Sequence, residues 1–580
     1  MSGLSIGHAI RVRSAARSSS IPLALPCLFL LGAGILAALS LFGSVPTTPD
    51  ELVYIELARH LGASGRFEIL GIPFPAWTYG PAYVGLIAPI TKLAATAREA
   101  YVAIRVLNAF VFASAAFPAF LVGARALSRR SSVVVAAAAI AVPASVYTTK
   151  VMTESLAYPV ALWCVVAALR VHERPSVQRQ LVLVLAGAAA AAVRFELLAL
   201  GPALAIGCLL QAEGRIQTRL RTMTALLVAT GALIVGMFVL LHATSGAAAG
   251  AGTHGFNSHH FSVGAFGASL IGSIGATALY TGVIPFVCLF IVARGMLRRA
   301  HWVSGELRAV VTTTLAAGAA LLLTSSAYIA SLSGSDRPPV PVDRYLFYLA
   351  PLVFVVCGAW IEAGAIRDRG TARIAIGVAA LPLLAALFNV GRGAQGTINA
   401  MAFLPWIAIA EGRRYILLGS LAAYCGVCVF FLLRSRLDIH SLIKPVLILM
   451  TVTSVCAYFS QLTSNANALP AGWLDSHTRS SAVAVWVANP TFTESQQLRE
   501  IVTANKNLSA IFFTQRPDSY LQEAETKVTE QPDGTLLSKG KPVLAQYVVT
   551  SARTRIVGTT VARQNGFVIF KVRSRVRVAR

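Results

Sequence analysis

Thirteen apolar runs constrain this chain more than any other feature: residues 21–43, 101–123, 132–148, 154–170, 181–193, 196–211, 223–242, 266–293, 308–332, 345–363, 372–389, 415–433 and 444–461. A helix rises about 1.5 Å per residue, so about 20 mostly apolar residues cross a hydrocarbon core about 30 Å thick. Only 13% of the 580 residues carry charge and 56% are hydrophobic, against roughly 25% charged in an average soluble domain, which excludes a soluble enzyme. The sequence predicts an all-α polytopic membrane domain with one span per run. The first run follows Arg11, Arg13 and Arg17 and has no small-residue cleavage pattern after it. It therefore reads as an uncleaved span.

The formal net charge is +25, from 49 Lys and Arg against 24 Asp and Glu. In a soluble protein that balance suggests nucleic acid. Here the surplus sits in short loops between apolar runs: Arg125/Arg129/Arg130, Arg170/Arg179, Arg215/Arg219/Arg221, Arg294/Arg298/Arg299, Arg367/Arg369/Arg373 and Arg434/Arg436/Lys444. Translocating such loops is disfavoured. With residues 1–20 as a basic cytoplasmic N-terminus, all six loops fall inside if 79–96 and 395–410 do not cross. The transmembrane domain then covers 21–462 with an external loop at 44–100, and an odd span count puts 463–580 outside. That last region alternates like strands at Ser509–Thr514, Ala545–Thr550 and Phe567–Val572, with a helical stretch at Gln496–Thr503, which predicts a small α/β extracytoplasmic domain. Its tail, Lys571, Arg573, Arg575, Arg577 and Arg580, alternates with Val and Ser, so a strand puts the basic side chains on one face. That face reads as solvated or as a patch for anionic lipid or glycan.

The eight cysteines lie in or beside apolar runs and read as small lipid- or core-facing residues. Cys425 and Cys428 have a zinc-knuckle gap but no second Cys or His pair in their run. No Walker loop, and no Gly-x-Gly-x-x-Gly between a strand and a helix, points to nucleotide binding. No internal repeat marks a transporter of inverted halves.

Chemistry concentrates in the long external loop, which opens Pro46-Thr47-Thr48-Pro49-Asp50-Glu51. Thr48 as N-cap, Pro49 as first helical residue and Glu51 as capping-box partner make a complete helix start. That leaves Asp50 surplus, a carboxylate at a helix N-terminus suited to general base work. The stretch Glu51–His60 reads as an amphipathic helix lying on the membrane and ended by Gly62 and Gly65. The segment Phe74-Pro75-Ala76-Trp77-Thr78-Tyr79-Gly80-Pro81-Ala82-Tyr83 has the composition of an interfacial anchor or a sugar platform. In the loop 243–263, His254, His259 and His260 read as an idle or acceptor-lining loop more readily than as metal ligands.

These motifs, taken in order, resemble a known family. Pro49-Asp50-Glu51-x-x-Tyr54-x-x-x-Ala58, Tyr79-Gly80-Pro81-x-Tyr83, a basic turn after the second span and Thr153-Glu154-Ser155-Leu156 are similar to the GT-C membrane glycosyltransferases. The nearest in pattern are the lipid A aminoarabinose transferases and protein O-mannosyltransferases. The resemblance covers roughly residues 20–360 and, more loosely, the C-terminal domain. It implies transfer of a sugar from a polyprenyl-phosphate donor to a glycan, lipid or protein acceptor outside the cytoplasmic membrane, with inversion. Asp50 matches the family's acceptor-activating acid. Arg344, in Asp343-Arg344-Tyr345-Leu346, and Arg194, in Arg194-Phe195-Glu196, match its phosphate ligands. Each also reads as a structural ion pair or a snorkelling cation.

Lys150 and Arg337 are further external cations. Glu51, Glu154, Tyr79, Tyr83 and His259 read as sugar contacts or as supports behind the site, and Thr153-Glu154 is also a natural helix start. No cofactor is required, and a divalent metal is admitted but not expected, because a polyprenyl monophosphate carries no diphosphate. Two rivals remain: a polysaccharide polymerase or ligase of another fold, which keeps its long external loop late in the chain, and a flippase or transporter, which needs ionisable residues inside its spans.

Overall fold

The computed structural model describes residues 22–41, 49–69, 72–74, 79–212, 214–248, 261–332, 344–367, 369–389, 398–410, 413–434, 439–463, 472–478, 482–486, 501, 505–514 and 525–579. The apolar runs form helices, which satisfy every backbone N–H and C=O within one segment where no water is at hand. Seven described helices are long and apolar enough to cross a membrane: Ala24–Leu41, Ala97–Ala126, Glu154–Glu173, Val263–Tyr280, Gly305–Ala330, Gly370–Phe388 and Arg414–Leu433. The pairs Arg129–Ile140 with Pro143–Thr149 and Ile216–Thr222 with Thr224–Gly236 reach that length only together, bent by 49° and 67°. Large apolar side chains such as Leu31, Val235, Phe430 and Phe459 stand exposed on this bundle, a surface that a bilayer covers. The chain is a multi-pass membrane protein.

Seven to nine spans by length and composition is fewer than the thirteen expected. The difference lies in apolar helices of 10–17 residues, among them Val177–Val193, Phe195–Gln211 and Phe347–Glu362, which fall short of the roughly 20 residues of a straight crossing. The run 266–293, read as one span, is two helices. They break at Gly282, whose φ of 78° ends one helix and caps the next. The stretch 79–96 holds the 13-residue helix Pro81–Leu93, and 395–410 holds the short pieces Ile398–Phe403 and Leu404–Ala410.

The helix in the first external loop runs Pro49–Ser64, past Gly62, and is followed by Gly65 at φ 73°. It is not the surface helix expected, because Glu51 to Ala58 are all buried. Val53, Tyr54, Ile55, Leu57 and Ala58 pack with Tyr79, Tyr83 and Ile87. Leu52 instead joins a separate core in the C-terminal region. A two-stranded hairpin, β1 (Glu68–Ile69) and β2 (Ile72–Pro73), follows the helix.

The C-terminal region is built on an eight-stranded mixed sheet of β3 (Ala482–Trp486), β4 (Leu508–Phe513), β5 (Glu525–Glu530), β6 (Leu536–Ser538), β7 (Lys541–Pro542), β8 (Tyr547–Ser551), β9 (Thr559–Gln564) and β10 (Phe567–Lys571), in the order β7-β6-β5-β4-β3-β8-β10-β9. β3 pairs in parallel with β4 and β8, and β4 with β5, whereas the outer pairs are antiparallel. Successive side chains of a strand point to opposite faces. Ala482 and Ala484 accordingly pack with Trp473, Ile511, Val549 and Ile569 on one face. Val483 and Val485 pack with Val528, Val548 and Phe570 on the other. The expected strands correspond to β4, β8 and β10, while the expected helix Gln496–Thr503 lies outside the described residues except for Ile501. Beyond β10 the alternation of the tail is real. Val572 and Val576 are buried while Arg573, Arg575 and Arg577 are exposed.

Candidate active site

Three helix ends meet on one side of the membrane domain. Glu154 opens the helix Glu154–Glu173, Arg194 follows the helix Val177–Val193 in extended backbone at φ −156°, and Arg344 precedes the turn Phe347–Leu349 that leads into Ala350–Glu362. The Pro49–Ser64 helix brings Asp50 to the same place. Arg344 Nη2 donates to Asp50 Oδ2 at 2.8 Å. Arg344 Nε and Arg194 Nη1 both donate to one oxygen of Glu154, Oε1. Arg194 Nε donates to Glu196 Oε2 at 3.2 Å. The result is an alternating chain of charge, Asp50–Arg344–Glu154–Arg194–Glu196. Its centre is buried and its ends are partly exposed: the Glu154 side chain is 0% exposed, Asp50 20% and Glu196 27%.

A guanidinium carries five N–H donors, and each arginine here uses Nε and one Nη. Arg344 Nη1 and Arg194 Nη2 have no hydrogen-bond partner among the described residues. The Arg194 guanidinium lies 4.8 Å over the ring of Tyr345, a cation–π contact that also fixes its plane. The buried hydroxyl of Tyr348, in the same segment, likewise has no partner among the described residues.

Glu51 turns the other way. Its Oε1 accepts from Tyr101 Oη at 2.8 Å and from the Val151 N–H at 3.0 Å, and its Oε2 faces Lys150 Nζ at 3.5 Å. Lys150 is thus engaged with Glu51. Asn108 Nδ2 donates to the Lys150 carbonyl at 2.7 Å and to Tyr83 Oη at 3.0 Å, which ties this pair to the aromatic loop. Tyr54 meets Tyr79 and Tyr83 edge to face at 5.6 and 5.5 Å. The Tyr54 hydroxyl reaches Thr153 Oγ1 at 3.3 Å. Burial, with the Asp50 and Glu154 carboxylates adding to it, pushes the Tyr54 phenol well above its ordinary value. Thr153, already helical at φ −61° and ψ −23°, makes no side-chain cap for the helix it precedes, and its hydroxyl lies between Tyr54 and Glu154 Oε2, the latter at 3.5 Å.

Gly80 holds these parts together by close approach. It sits at φ 63°, and a Cβ there would overlap the carbonyl oxygen of Val193 and crowd the Thr153 methyl at 3.2 Å. Gly80→Ala is expected to cost about 3 kcal/mol, from left-handed strain together with forced displacement of backbone. Thermal unfolding in detergent measures it. A loss below about 1 kcal/mol would mean that the loop and the Arg194 break are not in contact.

Of the residues singled out in the sequence, Asp50, Glu154, Arg194 and Arg344 come together. Glu51, Lys150, Tyr79 and Tyr83 form the layer behind them, and Arg337 and His259 lie outside the described residues. Glu196, Tyr345, Tyr101 and Asn108 were not singled out. A second acid two residues from Arg194, and single polar residues inside the run 101–123, were the available signals.

No protein-family model matches the sequence, and no curated protein does. The chain is similar in structure to ArnT. The crystal structure of ArnT from Cupriavidus metallidurans bound to undecaprenyl phosphate aligns with a TM-score of 0.49 and 17% identity, over 94% of this chain and 97% of that one. The arabinosyltransferase EmbB from Mycobacterium smegmatis aligns at 0.44 and 13%, over 79% of this chain and 43% of its own. The archaeal oligosaccharyltransferase AglB from Archaeoglobus fulgidus, in complex with an inhibitory peptide and a dolichol-phosphate, aligns at 0.36 and 11%, over 90% and 69%.

Proposed function

We propose that the chain is an inverting glycosyltransferase of the cytoplasmic membrane, taking its sugar from a polyprenyl-phosphate donor on the external side. The observation that carries this reading is the convergence of Arg344 and Arg194 on Glu154, each with an Nη that has no partner among the described residues, beside a part-exposed Asp50. A phosphate offers planar guanidinium donors the acceptors they lack. The buried Tyr348 hydroxyl is a third donor in the same segment.

In the proposed reaction the acceptor hydroxyl gives its proton to the Asp50 carboxylate as its oxygen attacks the anomeric carbon from the face opposite the phosphate. The bond from that carbon to the phosphate oxygen breaks with its electron pair, and the added charge on the departing polyprenyl phosphate is met by Arg344 and Arg194. The N-terminus is cytoplasmic in this reading, and the acceptor approaches beneath the external C-terminal domain. That acceptor is a glycan, lipid or protein bearing a free hydroxyl.

The test is transfer by purified protein, using a panel of radiolabelled polyprenyl-phosphate sugars and a crude cell-envelope acceptor. One donor is expected to be consumed, with sugar appearing in the acceptor and with inhibition by bare polyprenyl phosphate. Movement of an intact lipid-linked sugar across a vesicle membrane, without cleavage, would replace the enzyme by a flippase.

A further inference from the structure

We propose that the C-terminal domain is part of the active-site assembly and positions Asp50 by gripping Leu52; this rests on the reading of Asp50 as the base. Two residues along a helix are separated by about 200° around its axis, so Asp50 and Leu52 project to opposite sides. Asp50 faces Arg344 of the membrane domain. Leu52, 0% exposed, belongs to the core of the C-terminal domain, with Trp473, Leu474, Ile501, Phe513 and Ile569. The first turn of a helix lacks its own hydrogen-bond partners and frays unless held from outside. Here that turn is held from both sides, by the Asp50 carboxylate against Arg344 and by Leu52 in the C-terminal core.

The grip on the C-terminal side is a bonded corner. Asn505 Oδ1 accepts from the Leu474 and Asp475 N–H groups at 2.8 and 3.2 Å, and Asp475 accepts from the N–H groups of Lys506 and Asn507. From this corner the Asn505 carbonyl accepts from Arg59 Nη1 at 3.2 Å, on the same helix as Asp50. Lys506 Nζ donates to the carbonyls of Ala94 and Ala95 at 2.8 and 2.9 Å, just past the end of Pro81–Leu93. Burial of a whole leucine side chain is among the larger stabilising contributions a single residue makes. That is enough to order one helical turn, whereas a misplacement of about 1 Å at a reacting group costs on the order of a hundredfold in rate. Leu52 and Lys506 are therefore positioning residues and touch no reacting atom.

The experiment uses the full chain in nanodiscs with Leu52→Ala, Leu52→Met and Lys506→Gln. Leu52→Ala is expected to lower kcat by on the order of ten- to a hundredfold with polyprenyl-phosphate binding within about twofold of wild type, Leu52→Met to restore turnover, and Lys506→Gln to fall between. A parallel loss of kcat and of binding sites would show a folding role only and overturn the proposal. A readout free of activity runs beside it: the thiol labelling rate of Asp50→Cys, expected to rise about tenfold or more when Leu52→Ala is added, since release of the turn uncovers the site. An unchanged labelling rate sinks the proposal whether or not any donor is turned over. Failure of wild type to consume a donor, with the labelling rate raised, strikes the proposed reaction and leaves the positioning intact.

Discussion

Asp50→Asn is expected to lower turnover by about 10²–10⁴-fold while leaving the affinity for the polyprenyl-phosphate donor equal or tighter. The two effects separate because Asp50 stands in two relations. Toward the acceptor it is the proton acceptor of the proposed reaction, a role that an amide cannot fill. Toward Arg344 it is a competitor of the incoming phosphate, since Oδ2 already holds Nη2 at 2.8 Å. Asparagine keeps the shape, and its amide oxygen still accepts from the guanidinium, so the fold is preserved. Removing the charge then frees part of the Arg344 field for the donor. Single-turnover rates and donor binding, measured on the same preparation, check both halves. A fall of less than about tenfold in rate would reduce Asp50 to a counter-ion of Arg344.

Glu154→Gln has the second large effect, and it falls on stability. Glu154 is wholly buried, and one of its oxygens serves two guanidinium groups. Removing one member of a buried charge network leaves its partners uncompensated and costs about 3–5 kcal/mol. Here two cations would be left facing one another, each keeping only its part-exposed second carboxylate, Asp50 or Glu196. Thermal unfolding in detergent should show the loss, and polyprenyl phosphate should recover part of it by supplying the missing anion. The double change Glu154→Gln with Arg194→Gln should be less damaging than the two single losses added, because it removes the repulsion along with the bond. A Glu154→Gln protein within about 1 kcal/mol of wild type would mean that water already shields the two arginines.

How much of this was legible in the sequence depends on how far each feature reaches. Apolar runs and charged loops are local, so the membrane domain could be read directly, although Gly282 split a run that hydropathy alone joined. Asp50, Glu154, Arg194 and Arg344 could be picked out because each is a charge where an apolar run starts, ends or breaks, a placement that requires a reason. Their pairing could not be read. Lys150 and Arg194 looked alike as external cations, yet Lys150 lies beside Glu51 while Arg194 reaches Glu154 forty residues earlier. Glu51 satisfied a helix-start pattern whose N-cap, Thr48, lies outside the described residues; that pattern gave no hint that its carboxylate also holds Tyr101 and the Val151 N–H. Leu52 carried no signal at all, since one leucine in an apolar helix does not reveal which of two cores it enters.

Leu52 precedes Trp473 by about 400 residues. At about 5–20 residues per second, a ribosome needs on the order of half a minute or more to make the rest of the pocket that receives it. During that interval the helix bearing Asp50 already exists, with its leucine uncovered. The oldest part of the site is therefore the last to mature. Cells that insert the chain correctly but complete β10 slowly will hold a pool of membrane-integrated protein that still lacks the pocket for Leu52.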